Sequence, residues 1–306
     1  MEQFRDKFER TDGCPVCASK ELDPYRKGTF DYALLNTEQI KITDSEYGKI
    51  WDLDRCRDCG HVFANPMPKP EFIRSLYSQV EDPAYDLESE GRSQNFMGIL
   101  RVLGELRPAR GALFDVGAAT GILLRLAREQ GWTADGIEAS DWAVAYAAKK
   151  YGIRLFPGFF EETGEVAGSY QAVTMIDFIE HTPKPGDAIR KAYALLAPGG
   201  VLCLVTPDIH SLAARLAGKR WWHLRPGHLA YFSARSLETI LASAGFKIVK
   251  KKRYAWTFSL YYLLSRKKLF NFLTRSRRPA SFFGKIRIKL ALGDSFEIYA
   301  IKEPRG

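Results

Sequence analysis

Four cysteines fall in two tight pairs, Cys14-Pro-Val-Cys17 and Cys56-Arg-Asp-Cys59, with 38 residues between the pairs. Each C-x-x-C turn can present both sulfurs to one ion, so the four thiolates suit a closed, structural zinc site. Gly60 allows the turn that follows the second pair. Two redox pairs, or His61 in place of one cysteine, are the alternatives. A second group of candidates lies in Phe114-Asp-Val-Gly-Ala-Ala-Thr-Gly121. There a short apolar run ends on Asp115, turns on Gly117 and becomes a helical pattern near Gly121. In doubly wound sheets, ligands sit beyond the carboxyl ends of the strands. Glu138 comes 23 residues after Asp115, at the end of the next apolar run. A carboxylate there can accept hydrogen bonds from both hydroxyls of a ribose. Further along come Asp177, Glu180 and His181, then His223, His228 and Tyr231. Histidine is the side chain best suited to taking a proton from a hydroxyl near neutral pH. The plainer reading of His181 is a cap after a strand.

The glycine spacing narrows the ligand. A pyrophosphate must be wrapped closely by backbone N–H groups, and glycines permit that approach. Here the spacing is G-x-x-x-G, with Ala119 where a dinucleotide-binding turn would place a central glycine. S-adenosylmethionine (SAM) has no phosphate and a cationic methionine end. It tolerates Ala119 more easily, and Asp115 offers its amine a carboxylate. A dinucleotide domain, or glycines that only cap a helix, is the alternative.

The elements that must position these groups follow from the hydrophobic period. From Gly111 onward, strand patterns at 112–116, 134–137, 153–156, 172–176 and 201–206 alternate with helical patterns at 122–130, 141–151 and 187–196. A helix at 237–244 and strands at 246–249 and 296–301 complete the series. This alternation predicts an α/β fold whose mainly parallel sheet is covered on both faces. Ser140 can cap one helix, and Gly131 and Gly152 close two of them. Helical patterns at 71–77 and 92–106 lead into the series. Before them, Asn65-Pro-Met-Pro-Lys-Pro70 can continue neither strand nor helix. It divides the chain into a zinc-binding ribbon, 1–70, and a catalytic domain, 71–306. Within the ribbon, 39–43 and 49–53 read as β-type runs.

The formal charge of +9 is concentrated late in the chain. Residues 247–290 hold 14 Lys/Arg and no Asp/Glu, leaving 31 basic and 36 acidic residues elsewhere, a net of −5. Over 255–292 the cations alternate with Trp256, Phe258, Tyr261, Tyr262, Phe270, Phe272, Phe282 and Phe283. The plain reading is an insertion that packs on the domain with a solvated basic face. A helix lying on a membrane or an anionic lipid, or an RNA-binding surface, would share that composition. The charged N-terminus lacks an apolar signal region, and no apolar run is long enough to span a bilayer. A cytoplasmic location is expected, with peripheral contact to the inner face of the membrane through 255–292 as a variant. Cys203, in an apolar run, reads as core.

With these residues placed, the sequence resembles the class I SAM-dependent methyltransferases, especially the bacterial group of ubiquinone-type O-methyltransferases and sugar methyltransferases. The resemblance runs from about Cys56 to Lys302. It is carried by the 114–121 turn, Met175-Ile-Asp-Phe-Ile-Glu-His181, Leu195-Leu-Ala-Pro-Gly-Gly200, Gly227-His-Leu-Ala-Tyr-Phe-Ser233, Ala244-Gly-Phe246 and Gly293-Asp294. The second cysteine pair, with its trailing His-Val-Phe-Ala-Asn-Pro, resembles ribbons found ahead of sugar and related methyltransferases. The resemblance implies a Rossmann-like seven-stranded sheet with an antiparallel last strand, preceded by a small zinc ribbon. It implies a SAM site at Asp115, Gly117, Ala118, Gly121, Glu138, Ala139, Phe159 and Asp177, with 159–161 beside the adenine. Acceptor chemistry falls to His181 and His228, with Glu180 and Tyr231 beside them, and a Glu/His pair can hold a divalent ion. The departure is Ala119. The expected activity is methyl transfer to an oxygen or carbon of a small molecule, with a nucleotide- or lipid-linked sugar favoured. RNA methylation is the alternative, although no Pro-Pro-Tyr-like tetrapeptide follows the fourth strand. A non-catalytic zinc-dependent scaffold is the third reading.

Overall fold

The apolar runs of the sequence become the centre of one sheet. A computed structural model describes residues 6–43, 47–164, 166–265 and 283–303. Strands β1 (Phe8–Glu9), β2 (Leu22–Arg26), β3 (Leu53–Cys56), β4 (Val62–Ala64) and β5 (Met67–Pro68) come first. Helices α1 (Pro70–Tyr77), α2 (Ala84–Leu87) and α3 (Ser89–Leu106) follow. Then β6 (Gly111–Val116), α4 (Ile122–Glu129), β7 (Trp132–Glu138), α5 (Asp141–Tyr151) and β8 (Phe156–Pro157) alternate. They are followed by β9 (Tyr170–Ile176), α6 (Pro185–Leu195), β10 (Leu196–Pro207) and α7 (Leu212–Ala217). The last elements are β11 (Ala230–Tyr231), α8 (Ala234–Ser243), β12 (Phe246–Arg253), β13 (Trp256–Ser259), α9 (Leu260–Ser265), β14 (Arg287–Leu290) and β15 (Ser295–Lys302).

Seven strands form one sheet in the order β12-β15-β10-β9-β6-β7-β8. The pairs from β8 to β10 are parallel, whereas β15 is antiparallel to both β10 and β12. This is the Rossmann-like sheet expected from the sequence. Val201 to Val205, including Cys203, are fully buried, because parallel strands covered on both faces read as continuous apolar runs. Among the described residues no helix is long and apolar enough to cross a membrane.

One expected β-type run does not form. Residues 39–43 are not a strand, because Asn36 caps a 3₁₀ turn over Thr37–Ile40. Its side chain accepts from the Glu38 N–H at 3.0 Å while its own N–H donates to Gln39 Oε1 at 3.2 Å. Such local bonds offer the backbone an alternative to a ladder. Over its described part, the basic aromatic stretch is a β13–β14 hairpin packed on α3. The Thr257 N–H donates to Asn95 Oδ1 at 3.0 Å, and the Ser259 N–H donates to the buried Glu88 at 2.7 Å. Phe270, Phe272, Phe282 and the cations from 266 to 278 lie outside the described residues. The cations of edge strand β12 are neutralised one by one, against Glu303, Glu105, Glu238, Glu297 and Asp208.

A second sheet has the order β11-β4-β3-β2, so its fourth strand comes from far down the chain.

Gly121 enters α4 with φ +77, and a Cβ there would meet Ile153 at 3.2 Å and Ala147 at 3.3 Å. Ala119 sits at φ 47, a conformation costing an L-residue about 1 kcal/mol. Gly121→Ala should therefore lower unfolding stability by about 1–3 kcal/mol, whereas Ala119→Gly should leave it level or raise it by under about 1 kcal/mol. Urea titration of both variants checks the contrast.

Candidate active site and metal centre

The cysteine pairs meet because β3 and β4 form a hairpin whose turn carries Cys59 and Gly60, the latter at φ +72. Cys14 and Cys17 lie on the loop before β2. The sulfurs stand 3.6 Å apart for Cys14–Cys59 and 3.5 Å for Cys17–Cys56, and all four lie within 4.8 Å of one another. A tetrahedral ion with Zn–S bonds of about 2.3 Å needs sulfurs about 3.8 Å apart, so the donors fit zinc. The hydrogen bond from Cys59 brings the Cys14 thiol down to about 6, while burial pushes Cys17 up to about 11. Four thiolates at this spacing could be ionised together only around a cation. His61 is not a fifth donor; it is fully buried between the rings of Phe63 and Phe232.

At the β6 turn, the N–H groups of Gly117 and Ala118 both donate to Ile137 O at 3.0 Å. The Ala119 N–H donates to Glu138 Oε2 at 2.8 Å, and the Gly121 N–H donates to Ala118 O at 2.9 Å. Four of the turn's N–H groups are thus engaged within the protein, which leaves fewer of them to wrap a pyrophosphate. Glu138 also accepts from the Ser140 N–H at 2.8 Å. An ionised carboxylate has about four lone-pair sites, so two remain for ribose hydroxyls.

Two joined cavities lie beyond this turn. The larger, about 160 Å³, is lined by Glu138, Ala139, Trp142, Phe159 and Phe160 on one side and by Ile40, Ile73, Tyr77, Phe178 and His181 on the other. The smaller, about 50 Å³, is lined by Asp115, Ala118, Arg92, Asn95 and Trp256. Gly117, Ala119, Tyr85, Ile42 and Asp177 line both. Asp115 accepts from the Thr174 hydroxyl at 2.5 Å, and burial pushes its carboxyl up to about 7. Burial also raises Asp177. Arg92 lies over the Tyr85 ring, 3.6 Å from its centroid. Two carboxylates facing a guanidinium suit a zwitterion, the amine toward the acids and the carboxylate toward Arg92. The lining suits SAM, whose amino-acid end Asp115 would hold, its ribose Glu138, and its base Ala139 and Phe159.

His181 closes the far side. Its Nδ1 lies 2.8 Å from Gly227 O and 2.9 Å from the Tyr77 hydroxyl. A carbonyl can only accept, so Nδ1 carries the proton and Nε2 keeps its lone pair. Burial depresses this imidazole to about 3, so the ring is neutral at physiological pH.

Residues 88–251, over half of the chain, match the profile of a family described as a methyltransferase domain. The chain belongs to this methyltransferase family. The ubiquinone biosynthesis O-methyltransferases of Escherichia fergusonii and Escherichia coli are each 30% identical over 150 residues. The match covers 45% of this methyltransferase and 58% of each relative. A SAM-dependent methyltransferase from Archaeoglobus fulgidus superposes with a TM-score of 0.51 at 16% identity, covering 72% of this chain and 100% of that one. That likeness shows the fold.

Of the residues expected at the cofactor of this methyltransferase, Asp115, Gly117, Ala118, Glu138, Ala139, Phe159 and Asp177 line the cavities. Gly121 stands outside them as the helix entry. Of the four expected at the acceptor, His181 lines the cavity, whereas Glu180, His228 and Tyr231 do not. These three are only 1%, 4% and 1% exposed, and Tyr231 is committed to the second sheet opposite Val62. Glu180 and His228 are instead the layer behind His181. One ligand atom from each of Glu180, His181 and His228 lies within 4.8 Å of the others, and Glu180 Oε1 and His228 Nδ1 have no hydrogen-bond partner. The trio is close enough to hold a divalent ion only through the Nε2 lone pair of His181, which such an ion would occupy. His223 is held by Asp294 at 3.2 Å. Arg92 and Tyr77 were not legible as site residues, since each sits in an ordinary amphipathic helix with no motif around it.

Two outcomes follow from this geometry. Metal analysis of the purified chain should return one zinc per molecule, and Cys56→Ser should lose it. Below pH 7 the free Asp115 is protonated, so binding a cationic amine must expel that proton. Affinity for S-adenosylhomocysteine (SAH) should weaken as pH falls from 7 to 5.5, approaching about tenfold per unit, and stay flat from 7 to 8. Calorimetry across that range checks it.

Proposed function

We propose that this chain transfers the methyl group of SAM to an oxygen of a small hydroxylated acceptor. The observation that carries the reading is His181, a neutral imidazole in an apolar cavity beside the cofactor turn. SAM, when bound, supplies a methyl group already activated by its sulfonium. The chain's work is then orientation and proton removal. Asp115, Arg92 and Glu138 fix the two ends of the cofactor. Ile40, Ile73, Tyr77 and Phe178 exclude water from the acceptor side and hold the hydroxyl in line. His181 Nε2 takes the hydroxyl proton, and the Nδ1 bond to Gly227 O keeps the ring aimed. The two relatives' names, O-methyltransferases of ubiquinone biosynthesis, support oxygen as the methylated atom.

The apolar wall supports a planar or isoprenoid-like hydroxyl compound over the sugar favoured by the sequence resemblance. A sugar would bury several hydroxyls, and each would need a polar partner. The ion-paired cations of β12 argue against an RNA groove. The zinc centre serves as structural support, since closed four-cysteine sites leave no open coordination position.

Radiolabelled methyl transfer from SAM, tested on hydroxylated aromatics and on nucleotide sugars, should label the aromatics. Label confined to the sugars would reverse the acceptor assignment, and label in RNA alone would overturn the reading. His181→Ala should lower kcat by about 10²–10⁴-fold with SAH affinity unchanged.

A further inference from the structure

We propose that the short segment from Gln39 to Thr43 roofs the joined cavities and that the four-cysteine centre anchors this roof, so that metal loading governs how tightly the cofactor is retained. The inference rests on the zinc and SAM readings above.

Ile40 lines the larger cavity and Ile42 lines both, so Ile42 stands over their junction. Ile42 is also 43% exposed, an apolar side chain at the mouth. The segment is clamped to the methyltransferase body on two sides. The Thr43 N–H and hydroxyl donate to the buried Asp82 at 2.9 and 2.5 Å. Across the opening, Arg225 donates to Ile42 O at 3.1 Å and to Lys41 O. Neither clamp belongs to the turn or to the strand ends that hold the ligand.

The roof lies within the excursion between the two cysteine pairs. The base of that excursion is the β2–β3 pair, which runs from Leu22 opposite Cys56 to Arg26 opposite Leu53. Above it, Asp52 accepts from the Gly28 N–H at 3.0 Å and the Tyr32 hydroxyl at 2.7 Å. On the far side, the Trp51 indole N–H donates to Pro226 O at 2.8 Å, one residue from Arg225. The ion joins the pairs at the foot of the excursion. Without it, closure of a loop of about 38 residues falls on the β2–β3 ladder and the bonds above it, the clamps included.

The test uses the full, metal-loaded chain with SAH as probe, reading SAH dissociation by stopped flow and amide exchange by mass spectrometry. Metal analysis and SAH binding of the untreated protein test the two underlying readings separately. Chelator extraction of the metal should speed SAH dissociation about tenfold and raise exchange over 36–43, while 111–117 and 132–138 keep their protection. Arg225→Met, with its metal retained, should reproduce the faster dissociation and the exchange over 36–43 alone. Complete metal loss that leaves both readouts unchanged overturns the anchoring. If extraction unfolds the sheet, the Arg225→Met variant decides, and unchanged SAH dissociation there overturns the roof.

Discussion

One carboxylate holds the active site together. Glu138, at the end of β7, accepts from the Ala119 N–H of the turn that follows β6. That bond is possible because the two strands are parallel and adjacent, with Asp115 opposite Gly136. Gly136 is itself required, since a Cβ there would lie 2.8 Å from Asp115 O and 3.0 Å from Leu124. The strand must therefore pass under the turn without a side chain before it can present Glu138 beyond it. Once Glu138 is fixed, Ala119 can hold its left-handed backbone, α4 can start at Gly121, and four of the turn's amides are spent internally. Fewer donors then remain for a phosphate at this turn.

The same economy of water shapes the charges. Asp115 is buried and Asp177 half-buried, each with few donors, and desolvation raises both carboxyls. Left alone they weaken the fold, because a charge away from water costs free energy unless it is paired. A cationic ligand is the natural remedy, and the buried Arg92 across the small cavity gives the complementary end. The histidines show the opposite sign of one effect. Burial depresses His181, His223 and His228, so all three favour their neutral forms. Desolvation in the site thus favours the neutral forms of Asp115, Asp177 and the imidazoles alike.

The parallel sheet was readable because its strands carry uninterrupted apolar runs and its turns carry glycine or a cap. The limits of α5 were read correctly to the residue, since Ser140 and Gly152 mark both ends. Residues 39–43 misled, because alternation of apolar and polar side chains cannot reveal that Asn36 will bond its own neighbours. The strand expected over 153–156 shrinks to Phe156–Pro157 at the sheet edge, where Pro157 has no N–H to extend a ladder. The cofactor-side residues were legible because a motif fixes them to strand ends. Arg92 and Tyr77 were not, because their roles depend on which helix face meets the crevice. Glu180, His228 and Tyr231 illustrate the converse: the right residue types at suggestive spacing, turned into the support behind His181.

The second sheet explains why that support lies where it does. β4 pairs on one side with β3, whose last residue is Cys56, and on the other with β11, two residues beyond His228. The Ala64 N–H donates to Leu229 O at 2.8 Å, and the Leu229 N–H donates to Glu180 O at 2.8 Å. Backbone hydrogen bonds thus run from the cysteine hairpin through the 228–231 strand to the residue beside His181. A ribbon tethered only by its linker could not do this, because side-chain contacts across a linker leave register free. A shared strand fixes register, since a slip of one residue would turn Tyr231 out of the core and His228 away from His181. The position of the His181 imidazole is therefore set from two directions, by β9 through its own chain and by the cysteine hairpin through β11.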